Sequence, residues 1–376
     1  MKKNILFLSG TRADYGKIKP LMKEIIKNKK FSVNILATGM HLSKRHGYTF
    51  NEIKKDFEKK IIFKFKNILK KKTSMDYIFE NTVKGLNKFL KNKMIDLVVI
   101  HGDRIESLAL ATLSMLKGIR IAHIEGGELS GTVDEGIRHA ISKISTLHFV
   151  SNKYAKKNLM RLGENPKNIF IIGSPEVDIM IGKKLPTLTN VKKKYKITFT
   201  KYSIICLHPN TLENLRTAKE NSKIFFNTLY KVKKNFILIY PNNDKNSEII
   251  FSYIKKINKK NILIIPSMRF EYYLTLLKNA DYIIGNSSSG IREAPVFGTK
   301  VINIGSRQRN RTGNKYIINC DFKENQIINA IRSAEIKQKK RLFIFGSGNS
   351  GKKFAEVLAK KRIWKISLEK IFHKFN

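Results

Sequence analysis

Short apolar runs alternate with longer helix-like segments along most of this 376-residue chain. That alternation constrains the fold more than any other feature. In the first half the runs are "NILFL", "FSVNILATG", "IDLVVIHG", "RIAHIEGG", "LHFVS" and "IFIIGS". They are apolar at nearly every position rather than at every second one. Strands of this kind are covered on both faces, as in a parallel sheet. Strand–helix alternation around such a sheet predicts a doubly wound α/β domain. The pattern breaks over 181–201, around Pro186. It then resumes with "SIICLH", "NFILIYPNND", "NILIIPS", "DYIIGNSSSG" and "KVINIGS". A chain of this length suits two cores. The expected division is a first domain over 1–180, a second over 181–350, and a C-terminal helix over 351–376, where "FAEVLAKKRIWKISLEKIFHKF" reads as amphipathic. Two α/β domains of this type commonly leave a cleft at the carboxyl ends of both sheets.

Charge narrows the class of partner. The chain carries 74 Lys+Arg against 29 Asp+Glu, a formal net charge of +45. Such a balance raises nucleic acid or anionic membranes as partners. The lysines, however, are spread throughout, as in "KKFSVNI" and "IKKINKKNI". No RNP motif, zinc-finger spacing or basic-zipper heptad accompanies them, so the charge reads as solvated surface and no nucleic-acid partner is expected. The only two cysteines, Cys206 and Cys320, build neither a disulfide framework nor a metal motif. That fits a reducing, cytoplasmic compartment. The apolar run in "MKKNILFLSGTRADYGK" is too short for a signal h-region, and no stretch nears the 18 or so residues of a membrane span.

Acid is scarce in this chain, yet "HIEGGELSGTVDE" holds Glu125, Glu128, Asp134 and Glu135. Glu125 ends the run "RIAHI", with Gly126 and Gly127 beside it. Asp103, in "HGDR", ends the preceding run "IDLVVI". If the two strands are neighbours, these carboxylates converge on one edge of the sheet. Paired carboxylates in one cleft have their pKa values pushed apart, which suits one base and one acid. Asp103 can equally be the N-cap of the helix that follows. Thr132 and Glu135 match a capping box. Asp134 sits in a first helical turn, favoured there by the dipole or aimed at the site. Arg138, one turn later, can pair with an acid or a phosphate.

Two strand-to-helix turns read as anion sites. "GNSSSGIREAP" offers Ser287, Ser288 and free N–H groups at a helix start, more than one cap requires; Glu293 follows one turn in, able to accept from a ribose. Arg12 in "SGTRADYG" occupies the same kind of turn. His208 in "CLHPN" and Arg307 in "GSRQRNR" end strands of the second domain, where a structural histidine is the competing reading. "GSGNSGKK", residues 346–353, matches a glycine fingerprint, but Lys353 stands where a P-loop needs Ser or Thr. Too little chain follows for a dinucleotide fold, so a flexible turn is expected there. No set of histidines and carboxylates has zinc-like spacing.

Together, "GTRADYGK", "TGMH", "HGDRIESLA", "HIEGGELSGTVDEGIRHAISK", "LGE", "IIGSP", "YPNND", "PSMRFEYYLTLLKNA", "GNSSSGIREAP" and "IWKIS" closely resemble the hydrolysing UDP-N-acetylglucosamine 2-epimerases of bacterial sialic acid synthesis. The matching stretches span nearly the whole chain in order. The resemblance implies two Rossmann-like domains of the glycosyltransferase-B type, with the C-terminal helix crossing back to the first. It implies elimination of UDP from UDP-GlcNAc to a 2-acetamidoglucal, then addition of water to release N-acetylmannosamine. Carried over by motif, the proton-transfer carboxylates are Asp103, Glu125 and Asp134, and His208 lies near the diphosphate. Arg12, Arg104, Asn242, Ser287, Ser288, Glu293 and Arg307 match nucleotide-contact positions. The family uses no cofactor or metal and suggests a homo-oligomer. A sister group in legionaminic acid synthesis, acting on a GDP-linked diacetamido sugar, looks similar at these motifs.

Overall fold

The structure, a computed structural model, describes residues 2–43, 48–58, 61–68, 74–129, 133–182, 185–210, 213–241, 246–308, 316–336 and 340–374. The chain divides into two units. The first is Met1–Glu128, Asp134–Ile181 and Phe345–Asn376; the second is Leu129–Val133 and Gly182–Ile344.

Among the described residues the first unit holds seven strands: β1 Lys3–Ser9, β2 Phe31–Ala37, β3 Ile61–Lys64, β4 Leu97–His101, β5 Arg120–Ile124, β6 Leu147–Val150 and β7 Ile169–Ile171. They form one sheet in the order β3-β2-β1-β4-β5-β6-β7, and every pairing is parallel. The continuous apolar runs have their physical reason here. Ile5 and Phe7 of β1 point to one face, against Ile18, Leu21 and Ile25 of the helix Arg12–Ile26 and against Phe354. Leu6 and Leu8 point to the other, against Leu86, Leu110 and Ile141. Each such side chain taken out of water contributes about 1.5–3 kcal/mol.

The second unit repeats the plan with, among its described residues, six strands: β8 Ser203–Cys206, β9 Phe236–Ile239, β10 Ile262–Ile265, β11 Tyr282–Gly285, β12 Lys300–Ile304 and β13 Ile317–Cys320. Their order is β10-β9-β8-β11-β12-β13, again parallel throughout. In both sheets the direction of winding reverses beside the first strand, between β1 and β4 and between β8 and β11. The loops that leave the carboxyl ends diverge at such a point, which is where open α/β sheets bind ligands. Glycine is required at one of these ends: Gly285 has φ +139, and a Cβ there would lie 2.1 Å from the carbonyl oxygen of Cys206.

The C-terminal segment departs from the expected continuous helix. An α-helix covers only Ser350–Leu358, a 3-10 turn covers Lys361–Lys365, and the remaining described residues are irregular. Tertiary packing takes over the helical bonds. Trp364 Nε1 donates to the carbonyl of Leu358, Arg120 donates to that of Ile366, and Ile363 is fully buried. The helix packs within the first unit, with Phe354 edge-on to Phe149 at 4.6 Å. The "GSGNSGKK" turn is closely packed rather than loose: Gly346 has φ +120, and a Cβ on it would come within 2.7 Å of the Gly173 Cα. The N–H groups of Ser350 and Gly351 are both taken by the carboxylate of Asp178, at 2.9 Å each. Asp178 thereby takes the first two N–H groups of that helix.

Candidate active site

In the first unit the chemistry gathers at the carboxyl ends of β1, β4, β5 and β7. Strands β4 and β5 are direct neighbours, with His101 opposite Ile124, so the turns bearing Asp103 and Glu125 lie side by side. Asp103 accepts a short hydrogen bond from Arg138. Arg138 is buried, and its other nitrogen donates to the carbonyl of Glu128 at 2.8 Å. Asp103 is therefore not a helix cap: the next helix begins at Ile105, with Arg104 at its N-cap position. Asp134 lies half-buried in the first turn of the helix Val133–Ile144, one turn before Arg138. Thr132, and with it the expected capping box, lies outside the described residues, whereas Glu135 is 3.8 Å from His139 one turn on. The carboxylate of Glu128 accepts from Ser151 at 2.8 Å.

Glu125 is buried and sits at φ +64, in the left-handed region that side chains other than glycine seldom adopt. Such strain persists where the surroundings hold it. Three donors do so. His101 Nε2 lies 2.9 Å from Oε2, Ser174 donates a short bond to Oε1, and Lys17 Nζ lies 3.6 Å from Oε2. Lys17 is shared with the fully buried Glu176, at 3.1 Å. Behind His101 stands Asp14, 3.6 Å from Nδ1. Burial works against charge on His101, but the carboxylates of Asp14 and Glu125 outweigh it and raise the imidazole to about 9. Burial likewise works to raise the Asp14 carboxyl; His101 and Arg104 outweigh it and hold it at about 2. Their neighbour His123 shows the contrast. It is enclosed between Ser142 and the carbonyl of Gly102, and burial drives it down to about 3.

Of the three arginines expected to contact nucleotide, the two in the first unit are engaged within it. Arg12 pairs with Glu52 at 3.1 Å, and Arg104 with the buried Glu106 at 3.2 Å.

In the second unit His208, Ser287, Glu293 and Arg307 follow the ends of β8, β11 and β12. Arg307 and Gln308 both donate to the carbonyl of Asn286, at 3.1 and 3.0 Å. Burial, with Arg307 adding to it, pushes His208 down to about 3, so its imidazole is neutral at physiological pH. Ser287 caps the short helix Ser288–Arg292 by accepting from the N–H of Ser289. The Ser289 hydroxyl meets Tyr273 at 2.5 Å, while that of Ser288 makes no hydrogen bond to another described residue. Glu293 is buried one turn on, close enough to Tyr273 and Cys206 to help burial raise both. Asn242 lies outside the described residues.

Several site residues escaped sequence reasoning. Asp14, Lys17 and Ser174 sit in quoted motifs and Glu176 just after one, but only the fold shows that Lys17 and Ser174 meet Glu125, with Glu176 behind Lys17 and Asp14 behind His101. His101 carries no spacing signal in the sequence, because its carboxylate partners Asp14 and Glu125 lie far from it along the chain.

Comparison with known proteins gives a consistent picture. The family model described as UDP-N-acetylglucosamine 2-epimerase matches residues 23–359. The chain is 39% identical over 378 residues to a UDP-N-acetylglucosamine 2-epimerase of Neisseria meningitidis serogroup B, covering 100% of both chains. It is 35% identical to a GDP/UDP-N,N'-diacetylbacillosamine 2-epimerase (hydrolyzing) of Campylobacter jejuni, across 90% of this chain and 89% of that one. Among solved structures, a UDP-GlcNAc 2-epimerase from Neisseria meningitidis bound to UDP-GlcNAc matches with a TM-score of 0.81 at 20% identity, covering 95% and 99% of the two chains. At that identity the likeness speaks to the fold: two Rossmann-like doubly wound domains of the glycosyltransferase-B type.

Proposed function

Because the chain belongs to the UDP-N-acetylglucosamine 2-epimerase family, we propose that it is a hydrolysing member, converting UDP-GlcNAc and water to N-acetylmannosamine and UDP for sialic acid synthesis. The observation that carries the reading is the set of carboxylates at the ends of β4 and β5, one backed by a buried arginine and the other by a buried imidazole and a lysine. The C2 proton of the sugar is weakly acidic. A base must be held against it while the C1–O bond breaks and UDP departs. A second protonating group must then serve the opposite face, because configuration at C2 inverts. Asp103, Glu125 and Asp134 are the groups proposed for these transfers.

The departing diphosphate requires donors. Arg307, Ser287 and Ser288 are assigned to it, with His208 as a neutral imidazole that donates one hydrogen bond rather than a full charge. Glu293 is assigned to the ribose, and Arg12, Arg104 and Asn242 to further nucleotide contacts. Arg12 and Arg104 would have to exchange Glu52 and Glu106 for substrate oxygens. The reading needs no cofactor. It includes a cytoplasmic location and a homo-oligomeric state.

A second reading is favoured by the Campylobacter relative, whose name spans GDP- and UDP-linked sugars: a hydrolysing 2-epimerase for a GDP-linked diacetamido sugar. A panel of UDP- and GDP-linked sugars, followed by NMR, separates the two. Turnover of UDP-GlcNAc to free UDP and N-acetylmannosamine supports the first; turnover confined to the diacetamido sugars replaces it with the second.

A further inference from the structure

One buried imidazole is faced by a carboxylate at each ring nitrogen. His101 closes β4, only 8% exposed, with Glu125 Oε2 2.9 Å from Nε2 and Asp14 Oδ1 3.6 Å from Nδ1. No hydrogen-bond acceptor among the described residues reaches Nδ1, so Asp14 is the group that faces it. Asp14 is itself held. It occupies the first turn of the helix Arg12–Ile26, its N–H bonds the Thr11 hydroxyl at 3.1 Å, and Arg104 Nε is 3.8 Å from its second oxygen. A neutral imidazole carries one N–H and one lone pair, and a lone pair turned toward Glu125 would repel it. A charged imidazole donates from both nitrogens, and an ion pair on the far side keeps it charged.

Resting on the hydrolysing-epimerase reading, we propose that Asp14 is a positioning residue of the reaction. Its charge beside Nδ1 keeps His101 protonated, so that the Nε2–H fixes the orientation of the Glu125 carboxylate. Asp14 touches no reacting atom and acts only through His101. The strain at Glu125 fits this arrangement, because a carboxylate on a left-handed backbone is aimed only as well as its donors aim it. Ser174 and Lys17 supply the other two. The charged or titratable groups around the ring are Asp14 and Lys17 from the first helix, Arg104 from the turn after β4, His123 on β5, Glu125 after β5 and Glu176 beyond β7. Their sum leaves His101 charged up to about pH 9.

The test uses the full chain labelled with 15N-histidine. The His101 signal is the one lost in His101→Gln. In the wild type it is expected to stay in the charged form through pH 8. In Asp14→Asn its midpoint is expected to fall by at least about one pH unit, as loss of one close opposite charge implies. In the same variant kcat should fall roughly 10–100-fold, the cost of a misaimed catalytic group. KM should change by less than about threefold, and the alkaline limb of the kcat profile should move to lower pH with the imidazole. Asp14→Glu, which restores the charge, should recover part of both effects and serves as the readout if the asparagine variant does not fold. An unchanged His101 titration, or folded Asp14 variants turning over at the wild-type rate, would overturn the proposal. If the wild-type chain turns over no nucleotide sugar, the epimerase reading fails by itself, and the titration still decides whether Asp14 governs His101.

Discussion

The side-chain amide of Asn286 grips His208 by both ends of its backbone, accepting from its N–H at 2.7 Å and donating to its carbonyl at 2.8 Å. The residue after β11 thereby fixes the residue after β8, across the point where the second sheet reverses its winding. Asn286→Ala leaves both His208 groups without that partner, a cost of about 1–3 kcal/mol. We expect a Tm lower by a few degrees and a kcat/KM reduced at least about tenfold, since His208 loses its fixed position. Asn286→Asp keeps the acceptor and loses the donor, so its Tm should fall between the two. Thermal melts and steady-state kinetics on the three proteins check the order.

Asp103→Asn and Glu125→Gln should both fold and lose roughly 10²–10⁴-fold in kcat, the usual contribution of a positioned proton-transfer group. The glutamine can keep its oxygen toward His101 and Lys17 and turn its amide to Ser174, whose hydroxyl accepts as readily as it donates. Circular dichroism would establish the fold. Near-normal turnover in either variant would move the site elsewhere.

Stability should peak near neutral pH, and the sign follows from the histidines. Burial lowers His41 to about 4 and His123 to about 3, against an ordinary value of 6.5. Below 6.5 the unfolded chain binds protons that the folded one refuses. Their stabilisation is therefore complete above that pH and lost as the pH falls toward 4 and 3. His101 is the reverse. Raised to about 9, it stabilises fully below 6.5, and that contribution is lost as the pH rises through 9. A Tm roughly 5–10 °C lower at pH 5 than at pH 7 is expected; a flat Tm over that range would contradict the buried neutral state of His41 and His123.

The last helix should matter for stability rather than for phosphate. Phe354→Ala removes a fully buried ring packed on Phe149 and Phe7 and should cost about 3–5 kcal/mol. Asp178→Ala frees the two N–H groups at Ser350 and Gly351 and should cost about 1–2 kcal/mol, as loss of an N-cap does. Denaturant titration measures both.

Much of the fold was legible because parallel strands covered on both faces leave unbroken apolar runs. The edge strand β3 was not. It sits in "KKIIFKFK", where half-burial mixes lysine into the strand, and β13 is mixed in the same way. The positions of Asp103 and Glu125 were legible because both follow strands, and the glycines beside Glu125 make a structural role for it harder to find. Their partners were not, since Ser174 reaches Glu125 across 49 residues of sequence and spacing says nothing at that range. The glycines of "GSGNSGKK" suggest a flexible turn in sequence, and the fold uses them differently. They permit backbone to pass close to Gly173, not looseness.

The central claim, hydrolysis with inversion at C2, is tested most directly by turnover of UDP-GlcNAc in D2O followed by 1H NMR. Free UDP and N-acetylmannosamine are expected in equal amounts, with deuterium at C2 of the sugar. N-acetylmannosamine retaining its original C2 proton, or UDP-linked N-acetylmannosamine accumulating without free sugar, would contradict it.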